Sequence, residues 1–221
     1  MTEKIKTYES DDIVVSYSVI RCIHAEECIR RLPRVFNPKQ RPWIVPQNAS
    51  AEEIADTILN CPSGALHFER KDGGVREAVP EQNTVTIDPD GPLYVRGDLE
   101  ITTPDGETVV MKETRVALCR CGVSKNKPFC DNSHQEIHFT DPARVTLKEG
   151  WTSEGENTGT LRITPTENGP FLLRGKVKIQ GSQVVFREKA WLCRCGGSQN
   201  KPFCDGTHAK IGFQSTAGSS T

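Results

Sequence analysis

The chain has 221 residues, of which 26% are charged and 35% hydrophobic, as is typical of a globular protein. Its 28 Lys and Arg are balanced by 29 Asp and Glu, and a net charge of −1 argues against binding to nucleic acid or an anionic membrane. The N-terminal residues lack the apolar run of a signal peptide, and no apolar stretch approaches the roughly 18 residues of a membrane span. We therefore expect a cytoplasmic protein, whose nine cysteines favour metal binding over disulfides.

The N-terminal part of the chain combines strand and helix signals. Residues 12–20 are rich in β-branched residues and predict a strand. Ser50 and Glu53 have the spacing of a capping box, which predicts a helix that ends before Pro62. Asp-Gly-Gly at residues 72–74 indicates the turn of a hairpin. These elements predict a small α+β domain.

Three cysteines lie in this part of the chain: Cys22, Cys28 and Cys61. The bacterial ferredoxin pattern C-x2-C-x2-C-x3-C-P, laid on Cys22, places its third cysteine on Cys28 and its proline on Pro33. Ala25 and Leu32 occupy the other two cysteine positions, and the Cys61-Pro62 pair supplies a remote cysteine. The segment therefore resembles a divergent ferredoxin that holds a single cluster.

Three thiolates leave the type of that cluster open. They suit a [3Fe–4S] cluster, which we favour, because a [4Fe–4S] cluster would need another ligand on its fourth iron. Water, His24 or a nearby carboxylate are candidates for that ligand. The alternative is a degenerate domain with three buried thiols and no metal, since a free cysteine is commonly buried.

Beyond Gly91 the sequence repeats itself. Residues 91–97 resemble residues 169–175, and each segment leads into a predicted hairpin, with turns at residues 104–106 and 181–182. A unit of about 45 residues is too small to bury a core alone. We therefore expect the two copies to pack together as a pseudo-twofold pair.

Each copy ends in the element C-x-C-x8-C-x3-H. Its members are Cys119, Cys121, Cys130 and His134 in the first copy and Cys193, Cys195, Cys204 and His208 in the second. The C-x-C pair brings two thiolates to one metal, and the Cys and His that lie one helical turn apart bring two more ligands together. Two such pairs suit a two-iron cluster, but four ligands of this kind also suit zinc. Spacing alone leaves both readings open.

The element resembles the signature of the CDGSH iron–sulfur family, C-x-C-x2-(S/T)-x3-P-x-C-D-G-(S/A/T)-H. The second copy matches every position, and the first departs only at Asn132, where glycine is usual. Asparagine tolerates the left-handed backbone better than other non-glycine residues, so we expect the fold to survive. The resemblance implies one [2Fe–2S] cluster per element on three Cys and one His, and a paired β-rich fold made within one chain. Zinc becomes the less favoured metal.

The predicted fold class is α+β: a small ferredoxin-like α+β domain followed by two β-rich CDGSH units packed as an intrachain pseudo-dimer. The predicted domains are the ferredoxin-like domain, the first unit, a connector and the second unit, at residues 1–72, 73–140, 141–168 and 169–221. We expect a monomer.

The predicted function is electron transfer without catalysis, because the sequence has neither a nucleophile–base pair nor a nucleotide-binding loop. The alternative is an iron–sulfur carrier or sensor that donates its clusters, so the expected partner is a redox protein or an apo iron–sulfur acceptor. A neutral imidazole ligand raises the cluster potential and competes with protons for the metal. We therefore expect the histidine-ligated clusters to be lost as the pH falls to near 6, the ordinary histidine range.

Overall fold

The computed structural model describes residues 3–215. The chain forms two compact units, Met1–Ala78 and Val79–Thr221, so the first unit ends a few residues beyond the predicted boundary at residue 72. The fold class is α+β, as predicted. Every helix within residues 3–215 is too short or too polar to traverse a bilayer.

The first unit is built on a three-stranded antiparallel sheet. Its elements are β1 (Ile5–Glu9), β2 (Ile13–Ser18), α1 (Glu27–Arg31), a short 3-10 helix (Pro46–Asn48), α2 (Ala51–Ile58) and β3 (Leu66–Arg70). The sheet order is β1-β2-β3, so the central strand is the one that the β-branched run predicted. Ile13, Val15 and Tyr17 alternate along β2 and are buried in the core of the unit.

The capping box predicted for α2 is present. Ser50 Oγ accepts a hydrogen bond from the Glu53 N–H at 3.3 Å, and Glu53 Oε2 accepts one from the Ser50 N–H at 3.1 Å. The predicted hairpin across residues 72–74 is wrong, because β3 pairs with β2 and residues 71–83 contain no strand that could pair with β3. Val75, in the segment after the turn, is 79% exposed, so this segment does not pack its apolar side chain against the core.

The second unit is a six-stranded sheet that both copies share. Its elements are β4 (Thr84–Ile87), β5 (Leu93–Thr102), β6 (Val109–Leu118), α3 (Ser133–Glu136), β7 (Thr160–Pro165), β8 (Phe171–Gln180), β9 (Val184–Leu192) and α4 (Thr207–Lys210). The hairpins β5–β6 and β8–β9 turn where the sequence predicted. They flank the short strands β4 and β7, which lie between them.

The two short strands exchange partners between the copies. β4 is antiparallel to β5 of its own copy and parallel to β8 of the other, and β7 is antiparallel to β8 and parallel to β5. One apolar core runs through both copies and includes Val85, Leu99, Leu118, Leu161, Ile163, Phe171 and Leu192. The predicted intrachain pair is therefore a single interlocked sheet, and the segment predicted as a connector contains one of its strands.

Asn83 is a fully buried polar side chain at the start of β4. Its amide donates to the carbonyl oxygens of Gly159, at 2.6 Å, and Lys176, at 3.0 Å, while its Oδ1 accepts from the Asp98 N–H at 3.1 Å. One side chain therefore satisfies backbone groups that belong to both copies.

Replacing Asn83 with alanine is expected to lower the free energy of unfolding by about 2–4 kcal/mol, because buried backbone groups lose their partners. Denaturant unfolding of the metal-loaded protein measures the change. Gln214→Ala, at an exposed amide, is the control. An Asn83→Ala effect no larger than that of the control would contradict the assignment.

Candidate metal centres

Both cysteine–histidine elements begin where a long strand ends, at Cys119 after β6 and at Cys193 after β9. In each copy the first cysteine donates its N–H to the proline of the loop, and the third cysteine donates its N–H to the preceding strand. The distances are 3.0 Å (Cys119 to Pro128), 2.9 Å (Cys130 to Ala117), 2.7 Å (Cys193 to Pro202) and 2.9 Å (Cys204 to Trp191). The sheet therefore fixes the backbone of the loop at both ends.

The four side chains of each element meet two by two. The distances are 3.6 Å for Cys119 Sγ to Cys121 Sγ, 3.4 Å for Cys130 Sγ to His134 Nδ1, 3.8 Å for Cys193 Sγ to Cys195 Sγ and 3.3 Å for Cys204 Sγ to His208 Nδ1. Ligands of one tetrahedral metal, with bonds of about 2.3 Å to sulfur and 2.0 Å to nitrogen, lie about 3.8 Å (S to S) and 3.5 Å (S to N) apart. Each pair therefore fits one metal.

Three ligands do not meet at one point. Within residues 3–215, no group of three or more His, Cys, Asp or Glu side chains is arranged to hold a single ion. A mononuclear Cys3His zinc site needs four convergent ligands, whereas a two-iron cluster needs two ligands on each of two metals. The donor set and its pairing fit the binuclear group better.

A carboxylate ties each loop to the helix that carries the histidine. Asp205 accepts hydrogen bonds from the N–H groups of Thr207 and Gln199, at 3.0 and 2.8 Å. Hydrogen bonds from the Thr207 side chain and these amides hold the pKa of Asp205 below its usual range. Asn132 has φ +70°, in the left-handed region that Gly206 occupies in the second copy, as predicted for this substitution. The departure from the signature therefore leaves the loop backbone unchanged.

Two lysines of the loops have a role that sequence analysis missed. Lys127 Nζ donates to the Ser124 carbonyl at 2.8 Å, and Lys201 Nζ donates to the Ser198 carbonyl at 2.6 Å. A lysine in a polar loop is ordinarily solvated, so composition gives no signal. The only hint is its recurrence at the same position of both copies.

Burial disfavours the thiolate form of most ligand cysteines, and backbone N–H groups of the loops counteract it at the first cysteine of each element. A hydrogen bond with the Cys121 thiol, helped by the N–H groups of Ser124 and Gly122, lowers the pKa of Cys119 to about 6. Burial raises the pKa of Cys193 to about 11, against the opposing effect of the equivalent amides. Burial also lowers the pKa of His134, which favours the neutral imidazole that a metal requires. In both copies backbone N–H groups point at the first sulfur.

The two loops touch at the pseudo-twofold axis. Cys121 and Cys195 form an isolated antiparallel backbone bridge. The glycine after each cysteine has a positive φ, +88° at Gly122 and +77° at Gly196. A Cβ on Gly122 would lie 2.5 Å from the Cys195 carbonyl oxygen, and one on Gly196 would lie 2.6 Å from that of Cys121. Only glycine allows the loops to approach this closely.

The arginine inside each C-x-C is buried, which the sequence does not indicate. Arg120 is 2% exposed and Arg194 is 4% exposed. Arg120 Nη1 pairs with Asp141 Oδ1 at 2.5 Å, whereas burial lowers the pKa of Arg194 to about 10. The thiolate form of Cys119, in the first copy, opposes this lowering of the Arg194 pKa.

In the first unit, the structure brings the three predicted cysteines together. Cys22, Cys28 and Cys61 are half-buried and line one cavity, whose wall also contains His24 and Trp43. Burial, with added repulsion from the thiolate forms of Cys61 and Cys22, raises the pKa of Cys28 to about 12. The Cys28 thiol therefore holds its proton tightly, and a cationic metal group is a natural replacement for that proton.

Comparison with known proteins identifies both units. A family model described as "Iron-binding zinc finger CDGSH type" matches residues 90–135 and 168–209, which contain both C-x-C loops. Residues 90–135 and 168–209 are therefore two CDGSH units. A second model, "Divergent 4Fe-4S mono-cluster", matches residues 8–71 in front of the CDGSH units. The order of domains predicted from the sequence is thereby confirmed, as is iron–sulfur binding as the common property of both parts.

Two curated relatives match part of the chain. Two proteins named "Uncharacterized protein YjdI", from Escherichia coli K12 and Escherichia coli O157:H7, are each 33% identical to the chain over 66 residues. The match covers 30% of this chain and 87% of each relative. No solved structure matches the chain.

Proposed function

We propose that this protein transfers electrons through two [2Fe–2S] clusters in the second unit and a third cluster in the first. The observation that carries the proposal is the two-by-two pairing of ligands at 3.3–3.8 Å in both copies. In each copy the C-x-C pair holds one iron, and the Cys–His pair holds the other. The clusters supply one-electron chemistry when bound.

The chain's own residues keep the ligands in place during that chemistry. Backbone hydrogen bonds at Cys193 and Cys204, and the lysine and carboxylate contacts of the loop, hold its two ends. A ligand set that packing and hydrogen bonds lock in position changes little when a charge is added. The Cys121–Cys195 bridge places the two sites side by side, which suits transfer between them.

For the first unit we propose a [4Fe–4S] cluster on Cys22, Cys28 and Cys61. The description of the matching model supports four irons, and His24 on the wall of the same cavity offers a fourth ligand. If His24 is not a ligand, the three thiolates suit a [3Fe–4S] cluster instead. The iron content per chain distinguishes the two cluster types.

Anaerobically purified protein is expected to contain about eight irons and eight acid-labile sulfides per chain, because two binuclear clusters and one four-iron cluster add to that number. Cys28→Ala should remove about four of each and leave the visible spectrum of the histidine-ligated clusters. About seven irons, with a paramagnetic signal in the oxidised state, would replace the four-iron assignment by [3Fe–4S]. A colourless protein rich in zinc would refute the proposal.

Cluster donation is a second candidate function, and one observation favours it. Cys130 and His134 of the first copy are buried, whereas Cys204 and His208 of the second are partly exposed. An acceptor protein reaches the second site more easily. Mixing the metal-loaded protein with an apo-ferredoxin distinguishes the two functions: rapid movement of the visible chromophore supports donation, and reversible reduction without movement supports electron transfer.

A further inference from the structure

We propose, on the basis of the function above, that the two CDGSH clusters differ in potential and that an electron settles on the second. Three carboxylates that surround the first cluster loop are replaced by neutral side chains around the second, while the buried arginine is kept. The replacements are Asp88 by Thr166, Asp90 by Asn168 and Asp141 by Ser215.

The hydrogen bonds show that these positions are equivalent. The Asp141 N–H donates to Asp90 Oδ1 at 2.6 Å, and in the second copy the Ser215 N–H donates to Asn168 Oδ1 at 2.8 Å. Arg120 Nη2 donates to the backbone carbonyl of Asp88, as Arg194 Nη1 does to that of Thr166. The same backbone arrangement therefore carries acids in one copy and none in the other.

Around the first cluster loop the arginine charge is compensated. Arg120 forms its ion pair with Asp141 and donates to the Gly91 carbonyl at 2.7 Å. Asp88 and Asp90 line the surface depression in which His134 lies. This site therefore has three carboxylates whose equivalents in the second copy are neutral.

Around the second cluster loop the arginine lacks a carboxylate partner among the described residues. Within residues 3–215, Arg194 forms no ion pair, and its buried Nε has no hydrogen-bond partner. The guanidinium lies over the rings of Phe171 and Phe213, at 5.2 and 5.8 Å. Residues 216–221 contain no Asp or Glu that would compensate it.

This difference acts directly on reduction, because reduction adds one negative charge to a cluster. Nearby carboxylates oppose that charge, most strongly where water is excluded, and only the first copy has these three. We expect at least a tenfold difference between the clusters in the ratio of reduced to oxidised form at a given solution potential, which is 59 mV for one electron. The favoured cluster is also the one with the more exposed histidine, so the electron rests where a partner reaches it.

The test is a redox titration of the full metal-loaded chain at pH 8, followed by visible absorption and EPR. The second unit of the wild-type protein should give two redox transitions (waves), one for each cluster, with different midpoint potentials. Neutralising the first copy with Asp88→Thr, Asp90→Asn and Asp141→Ser should raise the lower midpoint potential. The difference between the two midpoint potentials should shrink by at least 59 mV, which is a tenfold change in the ratio of reduced to oxidised form. Acidifying the second copy with Thr166→Asp, Asn168→Asp and Ser215→Asp should lower the upper wave.

Two controls keep the test decisive. Asp105→Asn removes one negative charge from the exposed β5–β6 turn, as Asp141→Asn does beside the cluster loop, and should leave both redox transitions in place. If a triple variant does not fold, Asp141→Asn keeps the side-chain shape and should still raise the lower wave. A single wild-type wave, or a gap that no variant changes, overturns this inference. Absence of iron and sulfide from the wild-type second unit would instead refute the proposed function.

Discussion

Replacing Gly196 with alanine is expected to remove both clusters of the second unit, although only one loop is altered. The new Cβ would lie 2.6 Å from the carbonyl oxygen of Cys121 and 3.0 Å from its carbonyl carbon, a backbone contact that cannot yield without moving the opposite loop. The left-handed backbone, φ +77°, adds about 1–2 kcal/mol of strain for any residue with a Cβ. Iron and sulfide content and visible absorption of the purified protein measure the loss.

The matched control is Gly150→Ala. Its φ of +76° imposes the same strain, but an added Cβ meets nothing within 4 Å. That variant should therefore keep all of its clusters. The reciprocal change, Gly122→Ala, should behave like Gly196→Ala because its Cβ would meet the backbone of Cys195. Retention of the first cluster in Gly196→Ala would show that the two loops are independent.

Exchanging His208 for cysteine is expected to lower the potential of the second cluster by an amount on the order of 200 mV, since centres with two imidazole ligands lie several hundred millivolts above all-thiolate ones. The added thiolate makes the cluster more negative and resists reduction. The variant should also lose its chromophore more slowly at pH 5.5, because an imidazole ligand must be neutral and acid competes with the metal for its nitrogen. Redox titration and absorbance decay at pH 5.5 and 8 report the two effects.

The unchanged cluster at His134 is the internal reference for this experiment, and it should keep both its potential and its acid decay. His138→Ala, at an exposed histidine of the first copy, tests for effects of histidine removal as such. Two outcomes would show that His208 is not a ligand. One is equal decay of the wild-type chromophore at the two pH values, and the other is an unchanged midpoint potential of the second cluster in His208→Cys.

Local signals made much of this fold predictable. The capping box at Ser50, the two hairpin turns and the left-handed Asn132 depend on residues a few positions apart, and the structure contains each of them. The pairing of β4 and β7 with strands of the other copy has no such signal in the sequence. Thr86 and Gln180 belong to neighbouring strands although they are 94 residues apart, and a four-residue strand has too short a pattern to choose a distant partner.

The candidate centres divide in the same way. Spacing and chemistry pointed to the cysteines and histidines, which the structure brings together in pairs. The supporting groups were missed because their role depends on what folds against them: Arg120 meets Asp141 across 21 residues, and Arg194 meets the carbonyl of Thr166 across 28. An arginine between two cysteines reads as exposed until the sheet that buries it is known.

The exchange of strands also sets the order of events during synthesis. β3 completes the first unit's sheet at Arg70, so that unit is able to fold while the ribosome is still reading the rest of the message. The thiols of the first copy have no such opportunity, because the sheet that positions them is incomplete until β9 has emerged at Leu192. At 5–20 residues per second, the roughly 60 residues that separate Cys130 from that point take about 3–12 s. The two CDGSH sites therefore become able to hold their clusters together and late, and the thiols of the first copy stay exposed during that interval.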